Sequence, residues 1–189
     1  MSSGCRRQIL ARAACAFVLG FAAAISVAPA TRAADAPTGN APVTGTALAI
    51  DASHVSIEGQ RFKLFGIDAP DVDETCNDAK GIAYPCGVEA RAALAALVAD
   101  KSVTCRPRGP NQFDETLARC VTGPFDLANA QAEAGWAIAD RTRSLDYEPP
   151  ELAAREAKRG IWQGRFVPPV DWRAGERVPP VRQSPKVGP

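Results

Sequence analysis

Between Val55 and Leu64, apolar residues alternate with polar ones, break at Glu58-Gly59, and resume. Val55 and Ile57 fall on one face of a first strand, and Phe62 and Leu64 point inward from a second, with a two-residue turn between them. A lone hairpin is not stable in water, so further strands must complete a sheet around it. The pattern supplies them: 44–50 reads as a preceding strand, and 102–106 and 117–122 as two later ones. A helix over 88–99 carries Ala90, Leu94, Leu97 and Val98 at helical spacing, which packs it on the sheet. Asp126 caps a second helix over 127–134 that ends at Gly135. A third begins near Pro150-Glu151 and ends at Gly160, with Lys158 and Arg159 in its last turn, as the helix dipole favours. Five short strands interrupted by one helix and followed by two more predict an α+β, mainly β fold, a small closed barrel with three helices packed on it.

The ends of the chain read differently. Arg6, Arg7 and Arg12 precede an apolar run over 13–27, and Thr31-Arg32-Ala33 offers a small-residue cleavage site. This is the layout of a secretory signal peptide over 1–33, and the run is shorter than the roughly 20 residues of a spanning helix. A polar linker, 34–42, leads into a folded domain over 43–173. The Pro-rich stretch 174–189 lacks apolar periodicity and is expected to be disordered. The expected location is periplasmic or secreted, with no membrane contact after cleavage. Four cysteines remain beyond the signal, Cys76, Cys86, Cys105 and Cys120. An even count in an exported chain implies two disulfides with three possible connectivities. Cys76–Cys86 and Cys105–Cys120 is the preferred pairing, and the second would close a loop worth about 3 kcal/mol on the chain-entropy account. No pair has the spacing of a zinc site.

Residues 34–164 carry 13 basic and 19 acidic side chains. Nucleic-acid binders usually show the opposite balance, because phosphate neutralisation supplies much of their affinity. Against that background stands the stretch 63–71, KLFGIDAPD. It places Asp68 and Asp71 three residues apart in a strand-to-loop turn, with Lys63 upstream on the face opposite Phe62 and Leu64. Paired carboxylates hold a hard cation through oxygen, and a cation beside them meets a phosphate.

With this stretch, YPCG at 84–87, LARC at 117–120, GWAIA at 135–139 and GIWQGRFVPPVDWR at 160–173, the chain resembles the staphylococcal nuclease (thermonuclease) family in its exported bacterial form. The resemblance implies a five-stranded OB barrel with three helices. It also implies phosphodiester cleavage by one calcium ion, two arginines and a glutamate. Carried over, the calcium ligands fall on Ser53, in the turn Asp51–His54, and on Asp68. The first arginine falls on Lys63, the glutamate on Asp71 and the second arginine on Glu115. Only Asp68 keeps the expected identity. Serine is neutral where calcium needs charge, lysine lacks the bidentate fork, aspartate is one methylene short, and Glu115 reverses a charge that stabilises the transition state. Arg119 lies about 13 Å along the strand from position 115, too far to substitute.

The expectation is an exported family member with a degenerate active site: a calcium site weak at best, with Asp51 nearby, and a role in binding or scaffolding as a monomer beside an unidentified protein partner. The alternative is a calcium-dependent nuclease acting on DNA or RNA through an altered site, and only that reading calls for nucleic acid. His54, the single histidine, reads as a polar turn residue, and Trp136, Trp162 and Trp172 as packing residues.

Overall fold

The computed structural model describes residues 41–109 and 116–179. These lie within one unit, 36–189; the unit before it, 1–35, lies wholly outside the described residues, and with it the expected signal peptide. Among the described residues no helix is long and apolar enough to cross a membrane.

The hairpin forms as its alternation demands. β1 (Val43–Ala49) pairs antiparallel with β2 (His54–Ile57), and β2 with β3 (Gln60–Leu64), placing Val55 opposite Phe62. Glu58 and Gly59 both have positive φ, 51° and 83°, the geometry that matches a two-residue turn to strand twist. The other edge of β1 pairs with β7 (Ser102–Gly109), and β7 pairs with β8 (Thr116–Thr122). β8 then runs parallel to β3, with Lys63 opposite Leu117, and this pairing closes five strands into a barrel. A sixth, β9 (Phe125–Asp126), extends the sheet beyond β8. Closure leaves the barrel without a long free edge.

The interior is the apolar set that alternation predicts. Val55, Ile57, Phe62, Leu64, Val103 and Ala118 are fully buried, with Leu94 of α1 (Cys86–Val98) and Leu127 of α2 (Leu127–Glu133) packed among them. Asp126 caps α2 as expected, its carboxylate accepting the amides of Ala128 and Asn129. Buried Gln131 ties the elements together: its Nε2 donates to the carbonyls of Ala52 and Ala90 at 2.9 and 3.1 Å.

Both disulfides form in the preferred pairing. Cys105 and Cys120 face each other across β7 and β8, 4.0 Å apart at Cα. Cys76–Cys86 joins a small hairpin of β5 (Cys76–Asn77) and β6 (Ala83–Tyr84) to the start of α1.

Several elements differ from expectation. β4 (Ile67–Asp68) and β10 (Ile138–Ala139) pair with each other, each too short to show alternation. The third helix, α3 (Glu148–Glu156), starts two residues early, with Pro149 and Pro150 in its first turn. It stops well before Gly160 because Lys158 turns left-handed at φ 53°. A 3-10 turn, Gly160–Gln163, and a fourth helix, α4 (Pro169–Arg173), follow. α4 is brief and begins with prolines, so no periodicity marks it, and Pro at the first turn is compatible with a helix start. Residues 174–177, expected to belong to an unstructured tail, pack against α4 instead. The amides of Gly175 and Glu176 close α4 by donating hydrogen bonds to the carbonyls of Trp172 and Asp171, and the Arg177 guanidinium lies 3.7 Å over the Trp172 ring. The remainder, 180–189, lies outside the described residues.

Candidate functional site

The KLFGIDAPD stretch sits at the rim of the barrel. Phe62 and Leu64 enter the core, and Lys63 between them faces out, as alternation requires. Gly66 then turns the chain at φ 80°. A Cβ there would meet the ring of Tyr147 at 2.6 Å, so a side chain at this position is excluded. The turn delivers Asp68 to β4, where β10 pins it: Ile138 lies opposite Asp68 and Ala139 opposite Ile67. Glu151 of α3, almost fully buried, holds β10 in turn. Its Oε2 accepts the Ala139 amide at 2.7 Å, and its Oε1 receives Arg141 and Arg155 at 3.3 and 3.5 Å.

A cleft of about 480 Å³ opens here, with Lys63, Asp68, Arg141, Arg143 and Arg173 among its lining residues. Arg143 pairs with Asp140 at 3.0 Å, and Arg141 with Glu148 at 3.0 Å. Lys63 makes no ion pair or side-chain hydrogen bond with another described residue. The two carboxylates of the motif are not free. Arg173 at the end of α4 donates from Nη2 to Asp68 at 2.5 Å and from Nη1 to Asp71 at 3.3 Å. Burial alone would lower the Arg173 pKa, but the bonds to Asp68 and Asp71 and the charge of both outweigh it and hold the guanidinium above its ordinary value.

The turn that would complete a calcium site is hydrogen-bonded within itself. One Asp51 oxygen accepts the amides of Ser53 and His54 at 2.7 and 2.8 Å, and His54 Nδ1 lies 2.8 and 2.7 Å from the two oxygens. Burial would raise the Asp51 pKa, but the His54 hydrogen bond and charge, with the two amides, bring it below the ordinary carboxylate value. Ser53 is buried, its hydroxyl 3.3 Å from Asp51 and 3.1 Å from His54 Nδ1. Neither Asp51 nor Ser53 lines the cleft. His54, the first residue of β2, is oriented by a partner three positions earlier.

A third carboxylate lies behind the motif. Glu74 is fully buried, and burial pushes it up to about 7, helped by the charges of Asp71 and Asp68 and opposed by the Asp71 amide and Arg173. Its Oε2 receives that amide at 3.4 Å, and its Oε1 has no partner among the described residues. It sits beside Cys76 and Cys86, whose sulfurs are committed to each other.

Of the residues singled out from sequence, Lys63 and Asp68 share the cleft, and Asp71 joins Asp68 through Arg173. Ser53 and Asp51 form their own closed turn, and Glu115 lies outside the described residues. Arg173 was not among them. It stands within the GIWQGRFVPPVDWR stretch, but no local spacing ties it to an aspartate 105 positions away.

As arranged, this donor set makes a poor calcium site. Asp68 and Asp71 already hold a guanidinium, Asp51 holds an imidazole, and Ser53 brings no charge.

A closed five-stranded barrel with helices on it, and a basic, carboxylate-bearing cleft at its rim, define an OB-type domain of the nuclease kind. Residues 61–164 match the family described as Staphylococcal nuclease homologue, and the chain belongs to that family. It is 29% identical over 127 residues to the succinoglycan biosynthesis protein ExoI of Rhizobium meliloti, covering 66% of each chain. It is 28% identical over 120 residues to the probable staphylococcal-like nuclease CAN2 of Oryza sativa subsp. japonica, covering 62% of this chain and 30% of the rice protein.

Proposed function

We propose that this chain is an exported nuclease-family domain that has given up calcium-dependent cleavage and acts by binding or scaffolding. The single observation that carries this is Arg173, an internal cation placed on the two carboxylates that a metal would need. A guanidinium bridging Asp68 and Asp71 offsets one of their two charges without supplying a Lewis acid or an activated water. Asp51, bonded to His54, and neutral Ser53 support the same reading. So does the acidic balance of 34–164, which disfavours a nucleic-acid backbone as the standing partner. ExoI is named for polysaccharide biosynthesis, which agrees with a family member used for something other than cutting. Two disulfides agree with a location outside the cytoplasm, where such bonds persist.

The test compares DNA and RNA cleavage with calcium by the purified protein and by a variant carrying Ser53→Asp, Lys63→Arg, Asp71→Glu and Glu115→Arg, with and without Arg173→Ala. The expected result is no cleavage by the unmodified protein and cleavage only when the site is rebuilt. Turnover by the unmodified protein at a rate typical of enzymes, on the order of 1 s⁻¹ or more, would establish the alternative, an altered but working nuclease.

A further inference from the structure

A second concave site lies elsewhere on the domain and shares no lining residue with the cleft. It is an open pocket of about 570 Å³, walled on one side by the turn 78–81 and on the other by the segment after α3. Its side chains are strongly one-sided in charge. Lys80, Lys158 and Arg165 all line it, against one carboxylate, Asp78. The carboxylate is already engaged, one oxygen accepting the amides of Lys80 and Ile82 at 2.8 Å each. None of the three cations makes an ion pair or side-chain hydrogen bond with another described residue. Trp162, also in the lining, has a buried indole N–H with no acceptor among the described residues.

The walls are held rigidly. Asn77 and Arg165 exchange both backbone hydrogen bonds, at 2.8 and 2.9 Å. Gly164 packs so close that a Cβ there would lie 2.1 Å from the Asn77 carbonyl oxygen. The Cys76–Cys86 disulfide anchors the residue before Asn77 to α1. The cations therefore come from two segments fixed to each other, Lys80 from one and Lys158 and Arg165 from the other, whereas the rest of the domain carries an acidic excess.

We propose that this pocket binds a dianionic phosphoryl group, as inorganic phosphate or a phosphomonoester. Three cations against one engaged carboxylate leave two positive charges, which suits a dianion better than a single carboxylate. The lining side chains offer many N–H donors, which suits a group with three or four acceptor oxygens. A site assembled from rigid segments also loses little entropy on binding.

The experiment follows the Trp162 indole N–H by two-dimensional NMR at pH 7.5 and constant ionic strength, on the full protein, during titration with inorganic phosphate. The expected result is a saturable shift of that signal, reproduced by glycerol 3-phosphate and absent with glucuronate. Lys158→Ala and Arg165→Ala should each weaken binding about tenfold, the loss of one charge-assisted contact, while Lys63→Ala leaves it unchanged. No saturation, equal response to glucuronate or sulfate, or insensitivity to both pocket variants overturns the proposal. Loss of the response with Lys63→Ala would place binding in the cleft and overturn it equally. A response to a short single-stranded oligonucleotide but not to phosphate would replace it with recognition of a diester backbone.

Discussion

Replacing Arg173 by alanine separates a guanidinium that merely decorates the surface from one that occupies the place of a metal. Arg173 makes two charge-assisted hydrogen bonds, each worth about 1.5–3 kcal/mol if shielded from water. They are not shielded: the side chains of Arg173 and Asp71 are each 39% exposed and that of Asp68 17%. Solvent screening reduces the net contribution to about 1 kcal/mol. Arg173→Ala should therefore lower the melting temperature by about 3 °C for a domain of this size. The same 1 kcal/mol is what a calcium ion must overcome to reach Asp68 and Asp71, because it binds only when the guanidinium leaves. Calcium affinity, measured by calorimetry, should rise about fivefold in Arg173→Ala. Arg177→Ala is the control. Arg177 stacks on Trp172 in the same segment but is not bonded to either aspartate, so it should leave calcium affinity unchanged. Equal calcium affinity in the unmodified protein and in Arg173→Ala would refute the competition and remove the main support for a silenced site.

Four further outcomes follow from the geometry. Glu74 has a folded pKa raised to about 7 from an ordinary 4.5, so the folded state holds its proton more tightly than the unfolded state. Its contribution is therefore greatest in acid and is lost as pH rises from about 4.5 to 7, to a maximum of about 3 kcal/mol; urea melts across that range should show the decline, and Glu74→Gln should flatten it. In Gly87→Ala, helix propensity predicts a gain of about 1 kcal/mol, but the new Cβ would meet the Asp71 carbonyl oxygen at 1.7 Å, so denaturant titration should show a loss. Glu151→Ala removes the acceptor of the Ala139 amide and the partner of Arg141 and Arg155; a loss of about 3 kcal/mol should be accompanied by faster amide exchange in β10. Removing Cys105–Cys120 by double alanine substitution opens a loop with sequence separation 15 and should cost about 3 kcal/mol in thermal or urea unfolding.

What could be read from sequence is what local chemistry decides. The alternation around Glu58-Gly59 places Phe62 and Leu64 inside and Lys63 outside, and the structure agrees. Asp126 announces α2 because a capping carboxylate acts within its own first turn. The closing pair β3 and β8 is legible only as a count of strands, since nothing in either says that they run parallel. β4 and β10 escape because two residues cannot display a period. The site divides the same way. KLFGIDAPD marks Lys63, Asp68 and Asp71, but the group that decides their state, Arg173, arrives from the far end of the chain. Likewise the sequence shows that Asp51 and His54 share a turn, whereas their mutual hydrogen bond depends on how that turn folds.

The disulfide across β7 and β8 has a consequence apart from its effect on unfolding. It clasps the two strands on either side of residues 110–115, so a protease that cuts within that segment does not release a fragment. The two pieces stay joined by one covalent bond, with the partners of β1 and β3 still side by side. A nicked molecule would run as a single species until reduced. Wherever proteases are common and reductants scarce, integrity of the backbone and integrity of the molecule become separate properties.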